Sequence, residues 1–126
     1  MIKEKKYYVY MLRCKDNSIY TGITTDITKR MTEHFSKDEN CAKYTYSHTA
    51  EKLEELWETE NRKLASKLEF CIKKKLNKPE KEKLINYNET MKNLLKNLNS
   101  DDYIRLDVDR ISFAKGNNEN NNKTRL

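Results

Sequence analysis

Two hydrophobic periods divide this chain. Tyr7-Tyr8-Val9-Tyr10-Met11-Leu12-Arg13 is aromatic and β-branched enough to predict a strand. Lys15-Asp16-Asn17-Ser18 is polar and turn-prone, so the chain is expected to double back into Ile19-Tyr20-Thr21, the second arm of a hairpin. Gly22 closes that arm, where a glycine signals close backbone approach or an unusual dihedral. The period then changes. Ile27, Met31 and Phe35 recur at i, i+4 and i+8, predicting a helix capped by Thr25 or Asp26. Residues 41–50 read as a basic, aromatic loop. Residues 52–59 alternate imperfectly, with Leu53 and Trp57 on one face and Leu56 on the other, a pattern open to strand or helix. From Glu60, Leu64, Leu68, Ile72 and Leu76 repeat every four residues as in a long amphipathic helix, and Pro79 opens another. Met91, Leu94, Leu95 and Leu98 predict a further helix from about Glu89. Ile104, Leu106 and Val108 alternating with Arg105, Asp107 and Asp109 predict a strand within residues 102–113. That strand would dock on the domain or pair with a second copy at an open edge. The asparagine-rich end from Lys115 is expected to be disordered.

Length and composition narrow this to one domain with an appendage, since 126 residues are 36% hydrophobic and 37% charged and so bury only a small core. One proline and two glycines argue against a loop-rich sandwich or barrel. A net charge of +6 favours a polyanionic partner. No apolar window approaches the length of a membrane span, and no apolar run stands behind residues 1–6 as a secretory leader would require. Cys14, Cys41 and Cys71 are scattered without paired metal-ligand spacing, which points to a reduced, cytoplasmic protein.

Candidate chemistry gathers around the hairpin and the helix after it. Arg30 and His34 are four apart, one above the other at the margin of the buried face. With the hydroxyls of Tyr10 and Tyr20 on the same sheet surface, they suit a phosphate. Glu69 lies four after Ala65 and three before Ile72, at the edge of an apolar stripe, where an acid is costly unless paired or bound to a cation. A salt bridge to Arg30 or a lysine is the plain alternative. Lys43 and Tyr44 could contact phosphates and stack on bases, or belong to an ordinary connection. Lys73, Lys74 and Lys75 complement a helix dipole, and with Lys78, Lys81 and Lys83 they form a ridge able to track a nucleic-acid backbone.

The set Tyr8-Val9-Tyr10, Tyr20-Thr21-Gly22, Arg30 and His34 resembles the GIY-YIG nuclease signature. It is similar in particular to small stand-alone members reading YVYxLRC, YTGITxD and RxxEH, and the likeness continues through Lys43-Tyr44-Thr45 and Glu69 to about Ile85. Tyr8 stands at the first glycine of the signature, Thr21 at the isoleucine, and Ile23 where some relatives carry a lysine. The resemblance implies an α+β fold, a three-stranded antiparallel sheet flanked by helices, with residues 52–59 as the third strand. The nuclease-like domain would span residues 1–85, a helix/strand extension residues 86–114 and a disordered tail residues 115–126. It also implies a metal-dependent endonuclease hydrolysing phosphodiester bonds in DNA, a monomer without membrane contact. Glu69 would be the sole protein carboxylate on one divalent cation, Mg²⁺ or Mn²⁺. Arg30 would fork onto the phosphate, Tyr10 or Tyr20 would be the general base, and His34 would orient a tyrosine, touch the phosphate or shuttle protons. Nucleic acid would lie along Arg30, Lys43, Tyr44, Lys73, Lys74 and Lys78. Glu33 is expected to point away from Arg30. Two other classes stay open: the same fold as a non-catalytic nucleic-acid-binding module, or an adaptor acting through the extension. The full Tyr10, Tyr20, Arg30, Glu69 set favours the enzyme, because a binder has no chemical need for the acid.

Overall fold

Local rules start the hairpin as expected. Asn17 takes the left-handed conformation (φ 71°), and Asp16 Oδ1 accepts from the Ser18 amide at 3.0 Å and its hydroxyl at 2.5 Å. The structure is a computed structural model describing residues 5–37, 39–86 and 90–111. Its elements are β1 (Tyr7–Cys14), β2 (Ile19–Thr24), α1 (Ile27–Ser36), α2 (Lys43–Ser47), β3 (Ala50–Thr59), α3 (Arg62–Lys75), α4 (Lys78–Asn86), α5 (Thr90–Leu94) and β4 (Tyr103–Arg105). The strands form an antiparallel sheet ordered β2-β1-β3-β4.

The fold is α+β, and its sheet has four strands, one more than expected. The addition comes from the extension, where Tyr103, Ile104 and Arg105 pair with Thr59, Glu58 and Trp57. Among the described residues of the expected 102–113 strand, Tyr103–Arg105 pair into the sheet as β4. Beyond them Asp107 Oδ1 accepts from the Asp109 amide at 3.0 Å and winds the chain into a 3-10 turn at Val108–Arg110. Residues from 112 onward, including the asparagine-rich tail, and the helix start expected at Glu89 lie outside the described residues.

One sheet face carries Val9, Met11 and Trp57 against Ala65, Leu68 and Ile72 of α3, with Leu84, Met91 and Tyr103 closing the layer. The opposite face carries Tyr10, Leu12, Leu53 and Leu56 against Met31 and Phe35 of α1. Leu53 therefore shares a face with Leu56, not with Trp57. A β-bulge is the reason: Met11 faces Glu55 and Leu12 faces Leu53, so Glu54 is an extra residue that reverses the alternation. Its carboxylate accepts from Arg13 Nε at 3.0 Å, while the rest of that guanidinium forks onto Glu82 of α4 at 2.5 and 2.6 Å. Arg13 thus ties β1, the bulge and α4 together. Asn77 and Glu80 cap α4 reciprocally, each side chain accepting from the other's amide at 2.9 Å. Residues 43–47 wind into the short helix α2 where a loop was expected, because the Thr45 hydroxyl turns inward onto the Ala42 carbonyl at 3.2 Å.

Candidate active site

β1 and β2 set Tyr10 directly opposite Gly22, so the two halves of the motif face each other across one ladder. A Cβ on Gly22 would stand 2.4 Å from the Tyr10 hydroxyl oxygen and 2.6 Å from its Cζ. The glycine serves close approach. Tyr10 is 1% exposed and its hydroxyl lies 2.8 Å from His34 Nε2, so the ring has nowhere to swing. Gly22→Ala is expected to cost about 1–3 kcal/mol by overpacking and to break the Tyr10–His34 bond. A thermal melt and the His34 ring resonances check both, and an unshifted melt with intact ring signals would contradict the contact.

Thr45 gives its single hydroxyl proton to the Ala42 carbonyl, so at 2.6 Å its oxygen accepts from His34 Nδ1–H. His34 Nε2 is then bare and accepts from the Tyr10 hydroxyl. Burial, reinforced by the positive charge of Arg30, lowers the His34 pKa from 6.5 to about 4 and keeps the ring neutral. Burial first, then Tyr20, pushes the Tyr10 phenol well above its usual value, and Arg30 opposes that rise. The folded pKa of His34 lies below its unfolded value. Its stabilising contribution is full above pH 6.5 and is lost as pH falls through about 4. The loss amounts to about 3 kcal/mol by linkage, readable as a falling denaturation midpoint. A His34 NMR titration centred near its ordinary value would overturn the assignment.

Arg30 Nη1 donates to Glu33 Oε1 at 2.8 Å and to the Asn40 carbonyl at 2.6 Å. Glu33 therefore points toward Arg30, contrary to expectation, because i,i+3 spacing stacks the two side chains and their partial burial favours pairing. Glu69 pairs with Lys73, whose Nζ lies 3.4 Å from its carboxylate. Lys73 Nζ also lies 5.3 Å from the Tyr20 ring centroid, which brings this flank of α3 to the tyrosine cluster. Glu69 is close enough to Tyr10 to add to the rise of its pKa.

Tyr20 centres the cluster, 6.3 Å from Tyr10 and 5.6 Å from His34 between ring centroids. It stacks on Tyr44 at 5.4 Å, and Tyr44 stacks on His48 at 4.0 Å and 10°. Tyr44 is thus engaged with protein rings. Lys43, Lys74 and Lys78 are exposed, and Lys78 Nζ donates to the Asn17 carbonyl at 2.7 Å. Burial, then the charges of Lys73 and Lys78, lowers the pKa of Lys81, which marks a positive flank there. Tyr10, Tyr20, Arg30, His34, Tyr44, Glu69 and Lys73 come together, whereas Lys43, Lys74 and Lys78 lie toward solvent. Thr45 lies in the stretch that the resemblance drew towards the site, whereas Glu33 and His48 are supports that the residue pattern did not point to. The i,i+3 spacing to Arg30 could have found Glu33.

Among the described residues no group of three or more His, Cys, Asp or Glu could hold a metal ion. Glu69, half-buried and bordering the tyrosines, is a single hard oxygen donor. That suits Mg²⁺ or Mn²⁺, with water and substrate oxygens completing the shell, and does not suit a tightly held zinc. A profile of the GIY-YIG catalytic domain matches residues 6–84.

The chain belongs to the GIY-YIG family. In this GIY-YIG domain the two signature strands are neighbours in the sheet, which places Tyr10 over Gly22. Its similar proteins include small UPF0213 proteins. That of Fusobacterium nucleatum is 48% identical over 79 residues, 63% of this chain and 76% of that protein. That of Halalkalibacterium halodurans is 38% identical over 79 residues, 63% and 81% of the two chains. That of Desulfotalea psychrophila is 42% identical over 67 residues, 53% and 60%. The solution NMR structure of a UPF0213 protein from Bacillus halodurans shares 38% identity over 64% of this chain and 82% of that one, with a TM-score of 0.42. No helix among the described residues is long and apolar enough to cross a membrane.

Proposed function

We propose that this GIY-YIG protein is a metal-dependent endonuclease that hydrolyses phosphodiester bonds in DNA, acting as a monomer in the cytoplasm. The observation that carries the reading is one guanidinium, two phenols and an imidazole grouped beside a carboxylate, on a chain of net charge +6. Both Nη1 hydrogens of Arg30 are spent on Glu33 and the Asn40 carbonyl. Its Nε and Nη2 donors are left for Tyr10 and a phosphate oxygen. Tyr10 is sealed, protonated and committed to His34, so it holds the arrangement rigid. Tyr20 is half-buried, and to it we assign the attacking water, which its phenol oxygen orients for in-line approach. The new bond to phosphorus forms as the bond to the leaving oxygen breaks, and the proton the water loses passes to solvent while the leaving oxygen takes one up. Glu69 would hold one Mg²⁺ or Mn²⁺, which when bound supplies Lewis-acid neutralisation of charge on the phosphate and leaving oxygens.

The test is incubation with single-stranded, duplex, flap and branched DNA in Mg²⁺, Mn²⁺ or chelator. Products only with metal are expected. Salt-dependent binding in chelator without products on any substrate would mean a binding module on the same fold. Absence of both would mean an adaptor.

A further inference from the structure

We propose that Lys73 is the resident counter-ion of Glu69, exchanged for the divalent cation as nucleic acid binds, so that one lysine couples the two binding events. The proposal rests on Glu69 as the cation's ligand. Lys73 Nζ sits 3.4 Å from the Glu69 carboxylate and 5.3 Å from the Tyr20 ring centroid, at the junction of acid and phenol. β2 brings no cation of its own to this place: Ile19–Thr24 carries no basic residue, Tyr20 faces the cluster, Gly22 lies under Tyr10, and Ile23 packs with the α3 core. The position is also crowded with positive charge, since Lys73 and Lys78 both act on Lys81.

Two cations cannot share one half-buried carboxylate without strong mutual repulsion. A divalent ion arriving at Glu69 in the free protein must therefore displace the ammonium of Lys73. A phosphate beside Tyr20 offers that ammonium a new partner, and Arg30 lies close to Tyr10 in the same cluster. Phosphate draws Lys73 off Glu69 and frees the carboxylate, and by linkage the cation in turn favours the phosphate. A plain i,i+4 helix pair would weaken metal binding a little, but it would not link metal affinity to nucleic acid.

The experiment measures Mn²⁺ affinity of the full chain by electron paramagnetic resonance at fixed ionic strength. It is run with and without a phosphorothioate DNA duplex, under conditions where no product forms. For the wild type, DNA is expected to tighten Mn²⁺ binding about tenfold or more, within the usual range of coupling between sites. Lys73→Met should bind Mn²⁺ about threefold tighter without DNA and lose most of the DNA-linked gain, whereas Lys73→Arg keeps that gain. Lys73 is exposed, and matched melting curves confirm that the variants fold. Unchanged or weaker Mn²⁺ affinity in Lys73→Met, or a full DNA-linked gain in it, overturns the proposal. Glu69→Gln separates the layers. If it binds Mn²⁺ as well as wild type, Glu69 is not the ligand and the underlying reading fails too. If it loses Mn²⁺ while Lys73→Met behaves as wild type, only the counter-ion role fails.

Discussion

Glu69→Gln is expected to lower DNA cleavage about a thousandfold or more, the scale of removing a principal electrostatic stabiliser of phosphoryl transfer. The fold should survive. Glu69 is half-buried, and its ion pair among the described residues is the i,i+4 contact with Lys73, worth at most about 1 kcal/mol at such a site. DNA binding in chelator should be nearly unchanged, because the positive groups along Lys73, Lys74 and Lys78 remain. Glutamine keeps the shape and loses the charge, so the comparison isolates the carboxylate. Equal cleavage rates with the same metal dependence would remove Glu69 from the chemistry and leave Glu33 as the neighbouring acid. Glu33 is already committed to Arg30 at 2.8 Å, which is why Glu69 is the better candidate.

What could be read along the chain, and what could not, divides by the range of the interaction. The hairpin, α1 and α3 were legible because their signals are local: Asn17 in the turn, Asp26 accepting from the Lys29 amide, and leucines every four residues. Gly22 was legible as a special position, but its reason needed Tyr10 across the strand. Leu53 was misassigned because a bulge is a property of two strands, and nothing in Leu53-Glu54-Glu55-Leu56 alone says which residue is extra. The site was legible in outline, since Arg30 and His34 share a helix side by spacing alone. The proton order from Thr45 through His34 to Tyr10 was not, because Thr45 arrives from α2, a helix too short to show a period. The aspartate-bearing stretch after Arg105 alternates like a strand, yet the Asp107 carboxylate, accepting from the Asp109 amide, turns the chain soon after β4.

The largest stability effect is expected at Arg105. Glu55 is 3% exposed in β3, and its two carboxylate oxygens accept from Nε and Nη2 of Arg105 in β4, the latter at 2.6 Å. Around this pair the Thr59 hydroxyl donates to the Asp102 carbonyl at 2.8 Å, and the Tyr103 hydroxyl to the Leu64 carbonyl at 2.7 Å. Arg105→Ala leaves a buried carboxylate without its partner, at a cost of about 3 kcal/mol. That is the lower end for buried pairs, because Arg105 itself reaches solvent. Burial already raises the Glu55 pKa and Arg105 opposes the rise, so the variant's pKa goes higher still. A folded-state pKa above the unfolded one makes the charged form the unfavourable one in the fold. The penalty is therefore full above the folded pKa and relieved as pH falls through it. The gap between wild type and Arg105→Ala should narrow on acidification, with the His34 effect cancelling in the difference. Adding Glu55→Gln to Arg105→Ala should recover most of the loss at neutral pH. A chain ending at residue 86 loses β4, Tyr103 and Arg105 together and is expected to melt at least as low as Arg105→Ala. If that truncated chain instead melts with the full-length protein, the fourth strand contributes nothing to the core and residues 1–85 are a self-sufficient unit.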